Sequence, residues 1–140
     1  MKDFYKNKTV LVTGHTGFKG SWLTRWLNLM GAKVIGVSLD IPTSPSNFEV
    51  SDLAGDVNDI RFDLRDLQAV KKTLNDYQPE IVFHLAAQAL VKFSYENPVE
   101  TMTTNAIGTL NVLEALREYS GNITAVMITS DKAYDNVEWE

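Results

Sequence analysis

The stretch Lys8 to Gly20, KTVLVTGHTGFKG, decides how the rest of the chain is read. Thr9 to Thr13 is a short β-branched run, Gly14, Gly17 and Gly20 fall three apart, and Ser21 to Met30 repeats apolar residues at helical spacing. The order is strand, glycine turn, helix. Gly14 lets the chain turn sharply off the strand, Gly17 lets backbone N–H groups approach a pyrophosphate, and Gly20 lets the helix pack against the sheet. His15, Phe18 and Lys19 share this turn, with His15 expected over the phosphates and Lys19 beside it to tune affinity. Anions favour the N-terminus of a helix, where unpaired N–H groups and the dipole meet them. An ordinary strand-to-helix turn would show the same glycines. The position directly after a strand and before a helix favours a dinucleotide.

Composition bounds the alternatives. A chain of 140 residues, 44% hydrophobic and 22% charged, suits one domain with a real core. A net charge of -5 without a basic patch argues against nonspecific nucleic-acid binding. No cysteine means no disulfide and no thiolate chemistry, which is compatible with a cytoplasmic protein, and no metal site is expected. No apolar run approaches the ~20 residues of a membrane helix, and Met1 leads into charged residues, so no membrane association is expected.

Beyond the turn, strands and helices alternate. Trp22, Leu23, Trp26, Leu27, Leu29 and Met30 cover most of a helix, which predicts a well-buried element with both tryptophans in packing. Gly31 is a natural residue for closing it, and Val34 to Leu39 reads as the second strand. Ile41 to Asp59 reads as a long loop with a short helical turn around Asn47 to Leu53. Ile60 to Phe62 is a third strand, and Asp66 caps a helix bearing Leu67, Val70, Leu74 and Tyr77 on one face. Ile81 to Ala86 is a buried parallel strand. Asn97-Pro98, with Glu100 following, opens the longest helix, expected to run to about Tyr119, and Ile123 to Thr129 is the fifth strand. This alternation predicts an α/β fold, a doubly wound parallel sheet of the Rossmann type in the order 3-2-1-4-5.

Ligands of such sheets bind at the carboxyl edge, so residues just after strands are the site candidates. Ser38 can hydrogen-bond a ribose hydroxyl. It lacks the carboxylate that repels a 2′-phosphate, so NAD over NADP is a preference only, which Asp40 would strengthen if it bends back; a solvated loop acid is the other reading of Asp40. Asp63 could accept from the adenine amino group, with the backbone of Leu64 framing the ring. His84 reads as a satisfied core histidine. The small residues after it, Ala86 and Ala87 with Gln88, would let a cofactor lie against backbone, and Asn105 is added from the helix that follows. Thr129, Ser130, Asp131 and Lys132 place hydroxyl, carboxyl and amine groups together at the fifth strand's end.

VTGHTGFKGSWL, the PTSPSNFE loop, VFHLAAQ, SYENPVET, TNAIGTLNVLEA and ITSDKAYDNVEW together make the chain similar to the extended short-chain dehydrogenase/reductase family, and within it to the CDP-glucose 4,6-dehydratase subgroup. Glycines at first, fourth and seventh place are that family's form of the dinucleotide motif. His15, Lys19 and Lys132 are the specific marks of the subgroup, since related dehydratases carry glutamate at the place of Lys132. The resemblance implies bound NAD, a nucleotide-sugar substrate, CDP-glucose, and loss of water across C5 and C6 after oxidation at C4. It implies that Ser130 holds the C4 hydroxyl, that Asp131 is the acid for water loss, and that Lys132 stands at the place of the C5 base. A lysine base must be partly neutral, which requires burial or a cationic neighbour. A sugar-nucleotide epimerase or reductase of the same family is the alternative enzyme.

The family's Tyr-x-x-x-Lys pattern is not met: Tyr134 is followed at that offset by Glu138. The expectation is therefore residues 1–140 as an incomplete NAD-binding domain, truncated after the fifth strand, without the sugar-nucleotide-binding region and inactive by itself. A noncatalytic nucleotide-binding module is the reading from another class. The resemblance also implies a homodimer in the full-length protein. Ile107, Leu110, Leu113 and Leu116 are available for either core or partner.

Overall fold

The structure, a computed structural model, describes residues 3–130 and residue 135. Its centre is a five-stranded parallel sheet in the order β3-β2-β1-β4-β5, formed by β1 (Thr9–Thr13), β2 (Lys33–Ser38), β3 (Asn58–Arg61), β4 (Ile81–His84) and β5 (Thr124–Met127). The expected order holds. Side chains alternate across a strand, and β1 shows the consequence. Val10 and Val12 join Leu27, Val34 and Ile81 in one core, while Leu11 joins Ile35, Val37, Val70, Leu74, Val82, Val112 and Ala115 in the other.

Helix α1 (Phe18–Leu29) serves the first core, and α3 (Leu67–Tyr77) and α6 (Gly108–Glu118) serve the second. The left-handed conformation of Gly31, φ +80°, lets the chain leave α1 towards β2. Ser46 begins α2 (Asn47–Val50) with a reciprocal capping box to Glu49, the short helical turn expected inside the long loop. Asp66 caps α3 as expected, accepting from the N–H groups of Gln68 and Ala69.

Three expectations are corrected. First, α1 is not buried all round. Gly20, Ser21, Thr24 and Leu27 face the sheet, and Trp22 and Trp26 are 56% and 59% exposed. The close approach at Gly20 fixes which face turns inward, so small residues take the core side and large ones are left outside. Second, the long helix from Pro98 is a sequence of α5 (Pro98–Met102), a π turn (Thr103–Ile107) and α6, preceded by α4 (Val91–Glu96). Asn97 makes no side-chain cap: its backbone, at φ -132° and ψ 62°, belongs to the joint between α4 and α5. Third, β3 begins at Asn58, which brings Asp59 into the sheet and out of the loop assigned to it.

The face of α6 is apportioned by the structure. Val112 and Ala115 are buried against the sheet with Leu116 beside them, whereas Ile107, Leu110 and Leu113 point outward.

Candidate functional site

Parallel register aligns the strand ends. Thr13 pairs with Val37 and His84, Ser38 with Arg61, and His84 with Met127. The glycine turn, Ser38 to Asp40, Asp63-Leu64, Ala86 to Gln88 and Thr129-Ser130 therefore all follow strand ends on the same edge of the sheet. In a doubly wound sheet that edge, next to the point where the strand order reverses from β1 to β4, is where ligands bind.

The glycine turn is tight enough to explain its composition. Gly14 has φ +75°, and a Cβ there would lie 2.8 Å from both Cα and N of Ala86. Its N–H donates to the Val37 carbonyl at 2.7 Å. A Cβ on Gly20 would meet the Gly14 carbonyl oxygen at 2.0 Å. Gly17 differs: its Cβ would meet only that same oxygen, at 3.3 Å. Gly17 is also the N-cap of α1, with no side-chain cap, and the first turn carries no acidic residue. Phe18 and Lys19 are exposed in that turn. Backbone donors at an uncapped twelve-residue helix make a place for an anion.

His15 does not hang over this turn. It is fully buried, with Nδ1 2.9 Å from Ser38 Oγ, Nε2 3.1 Å from Asp59 Oδ1, and its ring edge-on to Phe48. Gly36 makes room for it, since a Cβ there would touch the imidazole at 2.3 Å. Burial pushes the His15 pKa below its ordinary value, against the upward pull of Asp59. The Ser38 hydroxyl is also within reach of the Thr16 N–H, and the Thr16 hydroxyl donates to the Asp40 carbonyl at 2.6 Å. The loop is thus bolted to the end of β2. Asp40 itself is exposed, one carboxylate oxygen accepting from the Ile41 N–H.

Asp63 is held by Arg65, whose hydrogen bonds keep its carboxyl below the usual range. Asn111 reaches across from α6 and donates to the carbonyls of Leu64 and Arg65, both at 2.9 Å. His84 is a satisfied core histidine, between Thr13 Oγ1 at 2.7 Å and Thr109 Oγ1 at 3.0 Å, and burial lowers its pKa. Thr13 also accepts from the Ala86 N–H. Asn105, in the π turn, accepts from the Gln88 N–H at 2.7 Å and donates to the Gln88 carbonyl at 3.0 Å. It therefore fixes the path of residues 86–88, with Ala87 exposed. Thr129 and Ser130 are exposed beyond β5; Asp131 and Lys132 lie outside the described residues.

Sequence reasoning passed over Thr13, Thr16, Phe48, Asp59 and Arg61. No motif marks Asp59 or Phe48, because their importance comes from a buried histidine that pattern alone assigned to the surface. Among the described residues, no group of three or more metal-binding side chains is found, and no helix is long and apolar enough to cross a membrane.

Residues 11–139 match the family model described as GDP-mannose 4,6 dehydratase. The chain is 52% identical to the CDP-glucose 4,6-dehydratase of Salmonella typhimurium over 99% of its own length and 38% of that relative. Among solved structures it resembles the UDP-glucose 4-epimerase of Thermus thermophilus in complex with NAD, at 38% identity and a TM-score of 0.69, covering 79% of this chain and 34% of that one. It also resembles the UDP-glucose 4-epimerase of Thermotoga maritima with UDP-glucose, at 34% identity and a TM-score of 0.70, covering 81% and 35%. The chain thus spans between a third and two fifths of these relatives.

Proposed function

The chain belongs to the GDP-mannose 4,6 dehydratase family, and from that premise we propose that it forms the NAD-binding part of a nucleotide-sugar 4,6-dehydratase acting on CDP-glucose. The observation that carries the reading is the glycine cradle: two positions where no Cβ fits, and between them an uncapped helix start facing the rim on which the other strand ends gather. A diphosphate fits that donor set, because it meets backbone N–H groups and no opposing carboxylate in the first turn. In this reading the backbone of 14–20 with Lys19 holds the diphosphate, Ser38 and Asp40 the ribose, Asp63 and Leu64 the adenine, and Ala86 to Gln88 with Thr129 the far half. Bound there, NAD supplies a reversible hydride acceptor.

Three of the chain's own residues serve the loss of water, while the base for oxidation at C4 belongs to the Tyr-x-x-x-Lys pattern that these 140 residues do not contain. Ser130 holds the sugar C4 hydroxyl. With a ketone at C4 the C5 hydrogen is acidic, so Lys132 takes that proton while Asp131 donates one to the departing 6-hydroxyl. The CDP-glucose assignment is supported by the identity to the Salmonella protein and by Lys132 in place of glutamate. We assign the outward residues Ile107, Leu110 and Leu113 to contact with a second copy in the whole protein, and a cytoplasmic location belongs to the same proposal.

The test is Asp131→Asn in the whole protein, with the 4-keto-6-deoxy product followed by its absorbance. Loss of the product is expected; unimpaired formation removes the role given to Asp131. The likeness to two UDP-glucose 4-epimerases favours a second reading, 4-epimerisation. The same assay separates the two, since an epimerase returns a sugar with its 6-hydroxyl intact.

A further inference from the structure

Asp59 receives the Arg61 guanidinium on both carboxylate oxygens at 2.7 Å, Nε on Oδ1 and Nη2 on Oδ2. A carboxylate that takes a guanidinium on both oxygens accepts from its partners and donates to none. The His15 nitrogen facing it, Nε2 at 3.1 Å, must therefore be the ring's N–H. Burial keeps the imidazole neutral, so Nδ1 has no proton and can only accept. The Val37 carbonyl beside the ring accepts from the Gly14 N–H and keeps a second lone pair towards the imidazole, so the tautomer is set by the carboxylate and not by this carbonyl. Ser38 Oγ, 2.9 Å from Nδ1, must then give its own proton to His15. The Thr16 N–H, 3.3 Å away, approaches one Ser38 lone pair. The other lone pair is all that Ser38 has left to offer.

We infer that Asp59 and His15 order the Ser38 proton so that the end of β2 meets the adenosine ribose as an acceptor only, which selects a 2′-hydroxyl over a 2′-phosphate. The inference rests on the nucleotide reading above. A 2′-hydroxyl donates into the remaining lone pair; the oxygens of a 2′-phosphate would face it lone pair to lone pair. Arg61 is the cation that could offset this, being the register partner of Ser38 across β2 and β3. Asp59 holds that guanidinium, which lies over the Phe48 ring with its centre 5.5 Å from the centroid. Asp59 thus does two things, fixing the histidine tautomer and withholding a positive charge. Asp59, His15 and Ser38 are positioning residues, and none is asked to move a proton during the reaction.

The test combines nitrogen NMR of the two ring nitrogens of His15 at neutral pH with calorimetric titration of NAD and of NADP. The titrations use the wild-type chain, Ser38→Ala and Asp59→Asn. The expected results are an Nε2–H tautomer, tighter binding of NAD than of NADP, and a preference that falls at least about fivefold in each variant, the worth of one ordinary hydrogen bond. An Nδ1–H tautomer, or a preference unmoved in both variants, overturns the relay while leaving the dinucleotide reading standing. Binding of neither dinucleotide to the wild-type chain overturns that reading and the selection with it. The tautomer is read on the wild-type chain, so a variant that fails to fold does not shield the relay from its test.

Discussion

Replacing Gly20 and Gly17 separately by alanine should give opposite results, although the two are three residues apart in one turn. At Gly20 the new Cβ would stand 2.0 Å from the Gly14 oxygen, 2.7 Å from the Gly14 carbonyl carbon and 2.9 Å from His15 Cα. All three are backbone atoms, and real Cβ contacts essentially never fall under 3.0 Å. Helix α1 or the turn must then shift by about 1 Å, pulling Thr24 and Leu27 from the sheet; overpacking of this kind costs about 1–3 kcal/mol or more. The gain in helix propensity, about 1 kcal/mol, offsets only part of it. At Gly17 the Cβ meets one oxygen at 3.3 Å, and the backbone, φ -68°, suits any residue. The exchange of glycine for alanine at an N-cap costs about 0.5–1 kcal/mol. Gly17→Ala should therefore fold nearly as well as wild type yet lose NAD affinity, because its methyl group enters the place given to the diphosphate. Urea unfolding followed by circular dichroism, with calorimetric titration of NAD, reads both effects. A stable Gly20→Ala chain would show that the turn yields to a methyl group, and Gly17→Ala binding NAD as wild type does would place the diphosphate elsewhere.

Three further outcomes follow from the geometry. His15 and His84 are both held below 6.5 by burial, so the unfolded chain takes up protons that the folded chain refuses. Stability is therefore full above about pH 6.5 and falls as pH drops below it, by up to about 1.4 kcal/mol per pH unit for each histidine that stays neutral; urea midpoints that stay flat into mild acid would contradict this. Asp66→Ala removes the acceptor for two N–H groups of α3 and should cost about 1 kcal/mol in the same unfolding assay, with no change meaning that the cap is idle. Asn105→Ala removes both hydrogen bonds to the Gln88 backbone, at about 1–3 kcal/mol, and should speed amide exchange at residue 88; unchanged exchange would show that the π turn does not hold that segment.

The fold was legible because its signals are local. β1 is bounded as its β-branched run says, Gly31 closes α1, and Asp66 caps α3, each by chemistry contained in a few adjacent residues. Counting apolar residues failed on α1 because the burying face is chosen by the close approach at Gly20, not by the number of large side chains. The same limit hid the site's interior. His15 reads as a surface residue of a phosphate loop until Gly36, a neighbour only in the folded sheet, is seen to leave space for its ring. Asp59 carries no motif and becomes significant through one partner, His15, 44 residues away in sequence. The π turn was likewise invisible, since Thr103 to Ile107 fits a regular helical pattern and departs from it where Asn105 turns to the Gln88 backbone.

If the glycine turn and the strand ends beside it form one dinucleotide groove, bound NAD must perturb all of them together. Backbone amide shifts of the labelled chain, followed by NMR during titration with NAD, address it directly. Shifts concentrated at residues 14–20, 38–40, 63–64 and 86–88, all on the carboxyl edge, are expected. An unchanged spectrum at saturating NAD, or shifts gathered on the outer face of α1 around Trp22 and Trp26, would contradict such a groove.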